Sequence, residues 1–204
     1  MRIQLTCLCL GLLLCGLDVQ AQDFNIFQSY VILNQGDGNM YYAGSHNADG
    51  AASFQSTDFG TFDADNDNFI LNGGELKTWY SCSNDWWSEF CANVCGGQLN
   101  FRIYASGSPG DFTSISLPWS GNISGNNQQW STTNAGIDLL DGLSEGQYTL
   151  EVWWHTQGSS DSSTGCSHNR YDRVAANQGF TASFAVAAPA LSGVCVLPSL
   201  HSAD

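Results

Sequence analysis

Apolar residues recur at every second position through much of this chain, and the three-and-four spacing of an amphipathic helix is nearly absent. In "GQLNFRIYA" (97–105), Leu99, Phe101 and Ile103 share one face, and Asn100, Arg102 and Tyr104 share the other. In "FTASFAV" (180–186), Phe180, Ala182, Phe184 and Val186 line up in the same way. Further β-rich runs are "SYVILN" (29–34), "MYYA" (40–43), "DNFILN" (67–72), "GELKTWYS" (74–81), "FTSISLP" (112–118), "GIDLL" (136–140) and "QYTLEVWWH" (147–155). Gly, Asn, Asp and Ser separate them, as turn chemistry requires. About eight or nine strands without helical crossovers predict an all-β antiparallel sandwich in a single domain. Asn72-Gly73 is a preferred hairpin dipeptide, so residues 67–71 are expected to fold back on 74–80.

The two ends of the chain break this pattern. Residues 1–21 read as a secretory signal peptide, with Arg2 as its positive region, Leu5 to Leu17 as its apolar stretch, and Val19 and Ala21 as the small-residue cleavage pattern. The apolar stretch is too short to span a bilayer comfortably. Residues 22–188 are the sandwich domain. Residues 189–204 lack periodicity, carry Pro198, and read as a tail or linker. The chain is therefore expected to be secreted, with no insertion into a membrane.

Charge narrows the partners. The chain has 5 Lys and Arg against 19 Asp and Glu; without Arg2 and Asp18 the mature balance is 4 − 18 = −14. A surface of that sign repels phosphate backbones, which excludes nucleic acid. Five cysteines follow the signal peptide: Cys82, Cys91, Cys95, Cys166 and Cys195. In an oxidising compartment they pair, leaving one over. Asn122-Ile123-Ser124 is a glycosylation sequon, of consequence only in a eukaryotic source.

"DGLSEGQYTLEVWW" (141–154) resembles the penultimate strand of immunoglobulin-like and fibronectin type III-like modules, with Tyr148 at the corner position. With "SYVILN", "FGTF", "ILNGGELKTW" and "LNFRIYASGSPGDFTSISLPW", the pattern is similar to small β-sandwich modules of secreted multidomain proteins from Bacteroidetes-type bacteria. The likeness covers most of residues 28–186, and its motifs are packing and turn motifs, which specify a fold and not a reaction. It implies that 74–81 and 97–105 are strands B and C, and 147–155 and 180–186 strands F and G. The B–C and F–G loops then share one end. Cys82, Cys91 and Cys95 would meet Cys166 there in two bridges, most simply one inside the B–C loop and one tying it to Cys166, with Cys195 left over. Which partner is which stays open.

Candidate chemistry is sparse. "FDADNDNFILNGGELKTW" (62–79) sets Asp63, Asp65 and Asp67 at alternate positions. An EF-hand needs Gly at position six and Glu at position twelve; from Asp63 those are Asn68 and Gly74, so this is no EF-hand. Two readings remain: a calcium loop of another kind, or an Asx-rich turn that hydrogen-bonds its own backbone. Trp86 and Trp87, in "CSNDWWSEFC", either stack on a sugar or cover the disulfides. Trp153 and Trp154 are adjacent on a strand and must face opposite ways, one into the core and one onto a sheet face as a second platform. His155, Asp161, His168 and Asp172, with the Asp loop and the Trp86-Trp87 pair, are expected to converge at the B–C/F–G end. Zinc on His155, Cys166 and His168 is improbable where the thiol has disulfide partners. Nucleophile-elbow, zincin, P-loop and dinucleotide motifs are all missing from the sequence.

These features favour a secreted, non-catalytic binding or adhesion module. Its partner would be a carbohydrate or a cell-surface protein, with Trp86, Trp87, Asp161 and His168 as contacts and calcium on Asp63, Asp65 and Asp67. A structural spacer without a ligand is the second reading, and a small extracellular hydrolase the third.

Overall fold

A computed structural model of the chain describes residues 23–45, 49–82, 91–105, 107, 109–159 and 165–188. The segments expected as signal peptide (1–21) and tail (189–204, with Cys195), and Trp86, Trp87 and Asp161, lie outside the described residues. The described chain is all-β, with thirteen strands where eight or nine were expected. The surplus consists of short pieces without readable alternation, most of them at sheet edges.

The first sheet contains β1 (Phe24–Asn34), β2 (Asn39–Ala43), β3 (Ala52–Ser53), β5 (Ile70–Tyr80), β8 (Trp119–Asn122), β9 (Asn127–Thr132) and β10 (Ile137–Asp138). Its order is β3-β2-β1-β5-β9-β8, with β10 on β5. The second contains β4 (Asp58–Phe62), β6 (Asn93–Ala105), β7 (Thr113–Leu117), β11 (Gly146–Ser159), β12 (His168–Asp172) and β13 (Phe180–Val186). Its order is β4-β13-β11-β6-β7, with β12 on β11. Both sheets are mixed, not purely antiparallel, because β4 runs parallel to β13 and β3 parallel to β2.

The inward faces are those the alternation assigns. Val31, Leu33, Leu71 and Leu76 of the first sheet meet Leu99, Phe101, Leu150, Val152, Trp154 and Phe184 of the second in one buried core. Each large side chain so buried contributes roughly 1.5–3 kcal/mol. Tyr148 stacks on Phe184, and its hydroxyl donates to the Ser144 carbonyl at 2.9 Å, closing the turn that leads into β11.

The expected hairpin at Asn72-Gly73 is not formed. Both flanks belong to the continuous β5, which pairs with β1 through a register shift: Ile32 faces Gly73 and Leu33 faces Leu71, leaving Asn72 as the extra residue of a bulge. Gly73 has φ +132°, and a Cβ there would collide with the Thr132 carbonyl. The positive φ that suits a hairpin turn also suits a bulge. Extended, the two flanks pair with β1 along one edge and with β9 and β10 along the other.

This correction moves the acidic loop. Asp63 to Asp67 precede β5, whereas the Cys82–Cys91 disulfide follows it, so the two lie at opposite ends of the strand. The loop instead borders a cavity of about 310 Å³ with Leu143, Ser144, Glu145, Val186 and Ala187. The expected convergence of the Asp loop on the disulfide end does not occur.

Candidate ligand-binding cleft

The disulfide end is built as one bridge within a connection and one from a strand to a connection. Cys82–Cys91 closes the link from β5 to β6, and Cys95–Cys166 ties the start of β6 to the entry of β12. Cys95 is the extra residue where Gln157 faces Gly96 and Gly158 faces Val94, so the second bridge passes across β11. Gly158 is needed in that strand because a Cβ would collide with the Asn93 carbonyl and the Phe24 ring. Two disulfides mark an oxidising compartment.

Beyond that end, β11 changes partners along one edge. Trp154 to Gly158 pair with β12, while Gly146 to Val152 pair with β13. Residues 173–179 join the two partners and leave the sheet beside Trp153. A tight turn forms there: Ala175 and Gln178 exchange both backbone hydrogen bonds, at 3.2 and 3.0 Å, and Asn177 takes φ +64°. Asparagine tolerates that left-handed conformation better than most residues.

The outer face of β11 carries Glu151, Trp153 and His155, opposite Arg102, Asn100 and Gln98 of β6. Trp154, directly adjacent, is fully buried and donates Nε1–H to the Tyr30 carbonyl at 3.2 Å. The two tryptophans therefore divide between core and face as expected. Trp153 meets Phe112 edge to face at 5.7 Å and lies 5.9 Å from Tyr171, which stacks on His155 at 4.9 Å. His155 Nε2 lies 2.7 Å from Asn169 Oδ1, and Nδ1 lies 3.3 Å from Gln98 Oε1. The Arg102 guanidinium covers the Phe112 ring at 4.1 Å, and that of Arg173 covers Tyr171 at 4.3 Å.

Together Arg102, Phe112, Trp153, Tyr171, Arg173, Asn177 and Gln178 line a cleft of about 290 Å³. Its floor is electrostatic. Glu151 is 2% exposed; its Oε2 accepts from Arg102 Nη2 at 2.7 Å and Nε at 2.9 Å, and its Oε1 accepts the Gly179 N–H at 2.7 Å. One carboxylate thus holds β6 on one side and the base of the 173–179 loop on the other. Asn100, opposite Trp153, accepts from the Ser114 hydroxyl at 2.5 Å, and its buried Nδ2 has no partner among the described residues. The arrangement offers flat ring faces, fixed guanidinium groups and two exposed amide side chains. Among the lining residues, no nucleophile is paired with a base.

The sequence-predicted residues disperse. His168 is exposed at the disulfide end, with Nδ1 3.5 Å from the Ser167 hydroxyl. Asp172 is buried at 7% exposure and is no surface contact: it accepts from the Ser29 and Ser45 hydroxyls, the latter at 2.5 Å, and so ties β1 to β12 across the two sheets. A Cβ at Gly44 would collide with Ser29 Oγ in this cluster.

The three aspartates of the acidic loop bond within it. Asp63 Oδ1 accepts the Asp65 N–H at 3.0 Å and Oδ2 accepts from Asn66 Nδ2 at 2.7 Å, while Asp67 Oδ2 accepts the Asp63 N–H at 2.8 Å. Hydrogen bonds from Asn66 and the Asp65 backbone hold the Asp63 carboxyl below its ordinary value. Among the described residues, no three His, Cys, Asp or Glu side chains are gathered as metal ligands. No helix of the described residues is long and apolar enough to cross a membrane.

From the sequence, one of Trp153 and Trp154 was expected on a sheet face without a choice between them, and Phe112, Tyr171, Arg173, Asn177 and Gln178 were not foreseen. The polar-face alternation of 97–105 pointed to Arg102; the others sit in short or irregular segments. Against known proteins, no family model matches the chain, and none of the curated proteins does.

Proposed function

We propose that this chain is a secreted, non-catalytic binding module of immunoglobulin-like construction that holds a saccharide in the Trp153 cleft. The fold part is supported by strand order: β1-β5-β9-β8 corresponds to A-B-E-D, and β13-β11-β6 to G-F-C. The Tyr148 hydroxyl bond to Ser144 is the corner bond expected at the start of strand F.

The binding part rests on one observation: an aromatic-walled cleft on an outer sheet face, with amides and guanidinium groups at its rim. Soluble domains bury aromatic rings where they can, and rings fixed on an outer face supply stacking surface. A sugar ring has an apolar C–H face for Trp153 and hydroxyls for Asn177 and Gln178. Pockets for ligands run from roughly 300 Å³ upward, so this one suits about one ring of a longer chain. Calcium on Asp63, Asp65 and Asp67 would lie outside the cleft lining and is no part of the recognition.

Glycan-array binding of the purified protein tests this reading. Wild type binds, and Trp153→Ala loses binding while it still folds, with a melting temperature lowered only by the lost ring contacts to Phe112 and Tyr171. Undiminished binding by Trp153→Ala would overturn it.

A further inference from the structure

The chain has few positive charges, and nearly all are matched. Lys77 lies 2.9 Å from Asp49 and 3.6 Å from Glu75; Arg102 pairs with Glu151, and Arg170 with Asp23 at 2.5 Å. Among the described residues, Arg173 is the one Lys or Arg with no carboxylate within 4 Å. It stands on the cleft wall, its guanidinium held over the Tyr171 ring. Both buried carboxylates of this region are already engaged, Glu151 by Arg102 and the Gly179 N–H, and Asp172 by the Ser29 and Ser45 hydroxyls. In a chain of net charge −14, an unmatched guanidinium at a concave aromatic site is the feature that calls for a ligand.

We propose that the cleft selects a sugar ring carrying one carboxylate, of the hexuronic-acid type. This rests on the saccharide reading above and names its substrate class. The ring's C–H face lies on Trp153, its carboxylate takes the planar fork of Arg173, and its hydroxyls meet Asn177 and Gln178. A guanidinium matches a carboxylate in two parallel hydrogen bonds, which an ammonium cannot do. The stacking on Tyr171 holds the fork in place before the ligand arrives. Charge also sets the upper limit. The rest of the surface repels anions, but screening confines that repulsion to about 8 Å at physiological ionic strength. An isolated carboxylate is accepted, whereas a densely charged polyuronate is disfavoured.

The test is an array of oligosaccharide pairs, identical except that a C6 hydroxymethyl group in one member is a carboxylate in the other. The carboxylated member of at least one pair should bind about tenfold more tightly, the scale of one charge-assisted bidentate contact. Arg173→Gln should bring the ratio between the two members of each pair close to one, because the fork that discriminates the carboxylate is gone. Equal binding of both members overturns the carboxylate inference and leaves the saccharide reading standing. A carboxylate preference that survives in Arg173→Gln overturns the assignment to Arg173. Failure of every pair to bind removes the saccharide reading, and this inference with it. Thermal melts of both proteins exclude misfolding as the cause.

Discussion

Arg102 and Glu151 meet on the outer face of the second sheet, Nη2 to Oε2 at 2.7 Å, with the carboxylate 2% exposed. Because Glu151 also accepts the Gly179 N–H, the pair forms a joint between the cleft's two walls as well as an ion pair. Glu151→Gln keeps the shape and removes the charge. Breaking one side of a buried pair costs about 3 kcal/mol, because the other charge is left uncompensated. We expect a loss of that order in urea unfolding, together with weaker ligand binding. A melt indistinguishable from wild type would show that the joint does not hold the walls.

Trp153 and Trp154 are neighbours with opposite duties. Trp154→Ala empties a fully buried site and should cost roughly 3–5 kcal/mol. Trp153→Ala removes face contacts to Phe112 and Tyr171, and aromatic pairs of that kind contribute about 0.5–1.5 kcal/mol each. Chemical denaturation of the two variants measures the difference directly.

The disulfides should also separate by loop length. Cys95–Cys166 closes 71 residues and Cys82–Cys91 closes 9. Loop-closure entropy then assigns roughly 4 kcal/mol to the first and about 2.5 kcal/mol to the second. The double alanine variant that lacks Cys95–Cys166 should therefore be the less stable of the two in urea unfolding.

Burial pushes the Glu75 carboxyl above its ordinary value, and Lys77 offsets this only in part. A carboxyl that holds its proton more tightly when folded stabilises below its unfolded pKa, and that contribution is lost as pH rises through the folded value. Glu75→Gln should therefore raise the melting temperature at pH 7. The gain should vanish below the ordinary glutamate range, roughly pH 4. A lower melting temperature at pH 7 would mean that the bonds from Lys77 and Gln129 outweigh burial.

The acidic loop gives a prediction about cations. Its aspartates lie outside the cleft lining, so EDTA should leave ligand binding unchanged in calorimetry. Binding that needs calcium would contradict the separation of the two sites.

Alternation alone made the core of β6, β11 and β13 readable, because a strand's period is two and its inward set is apolar. It also separated Trp153 from Trp154. A tie from the Cys82–Cys95 segment to Cys166 was expected from the immunoglobulin-like resemblance, with the partners left open; the structure puts it on Cys95, at the start of β6. What was not readable depended on long-range choices. Asn72-Gly73 fits a hairpin and a bulge equally well, and only the partners offered by β1, β9 and β10 decide between them. That misreading displaced the Asp loop by the full length of a strand. The cleft stayed hidden because it depends on β11 exchanging β12 for β13 at Trp153, and "HNRYD" gives no periodicity from which to foresee a strand.

The location of the ligand is best tested by the indole N–H signals in a ¹⁵N–¹H NMR titration with the tightest-binding array oligosaccharide. Seven tryptophans give seven side-chain probes. The account predicts that Trp153 shifts, with the backbone amides of 173–178, while Trp86, Trp87 and Trp119 stay in place. Shifts centred on Trp86 and Trp87 with Trp153 unmoved would contradict it and assign the ligand to the segment between Cys82 and Cys91.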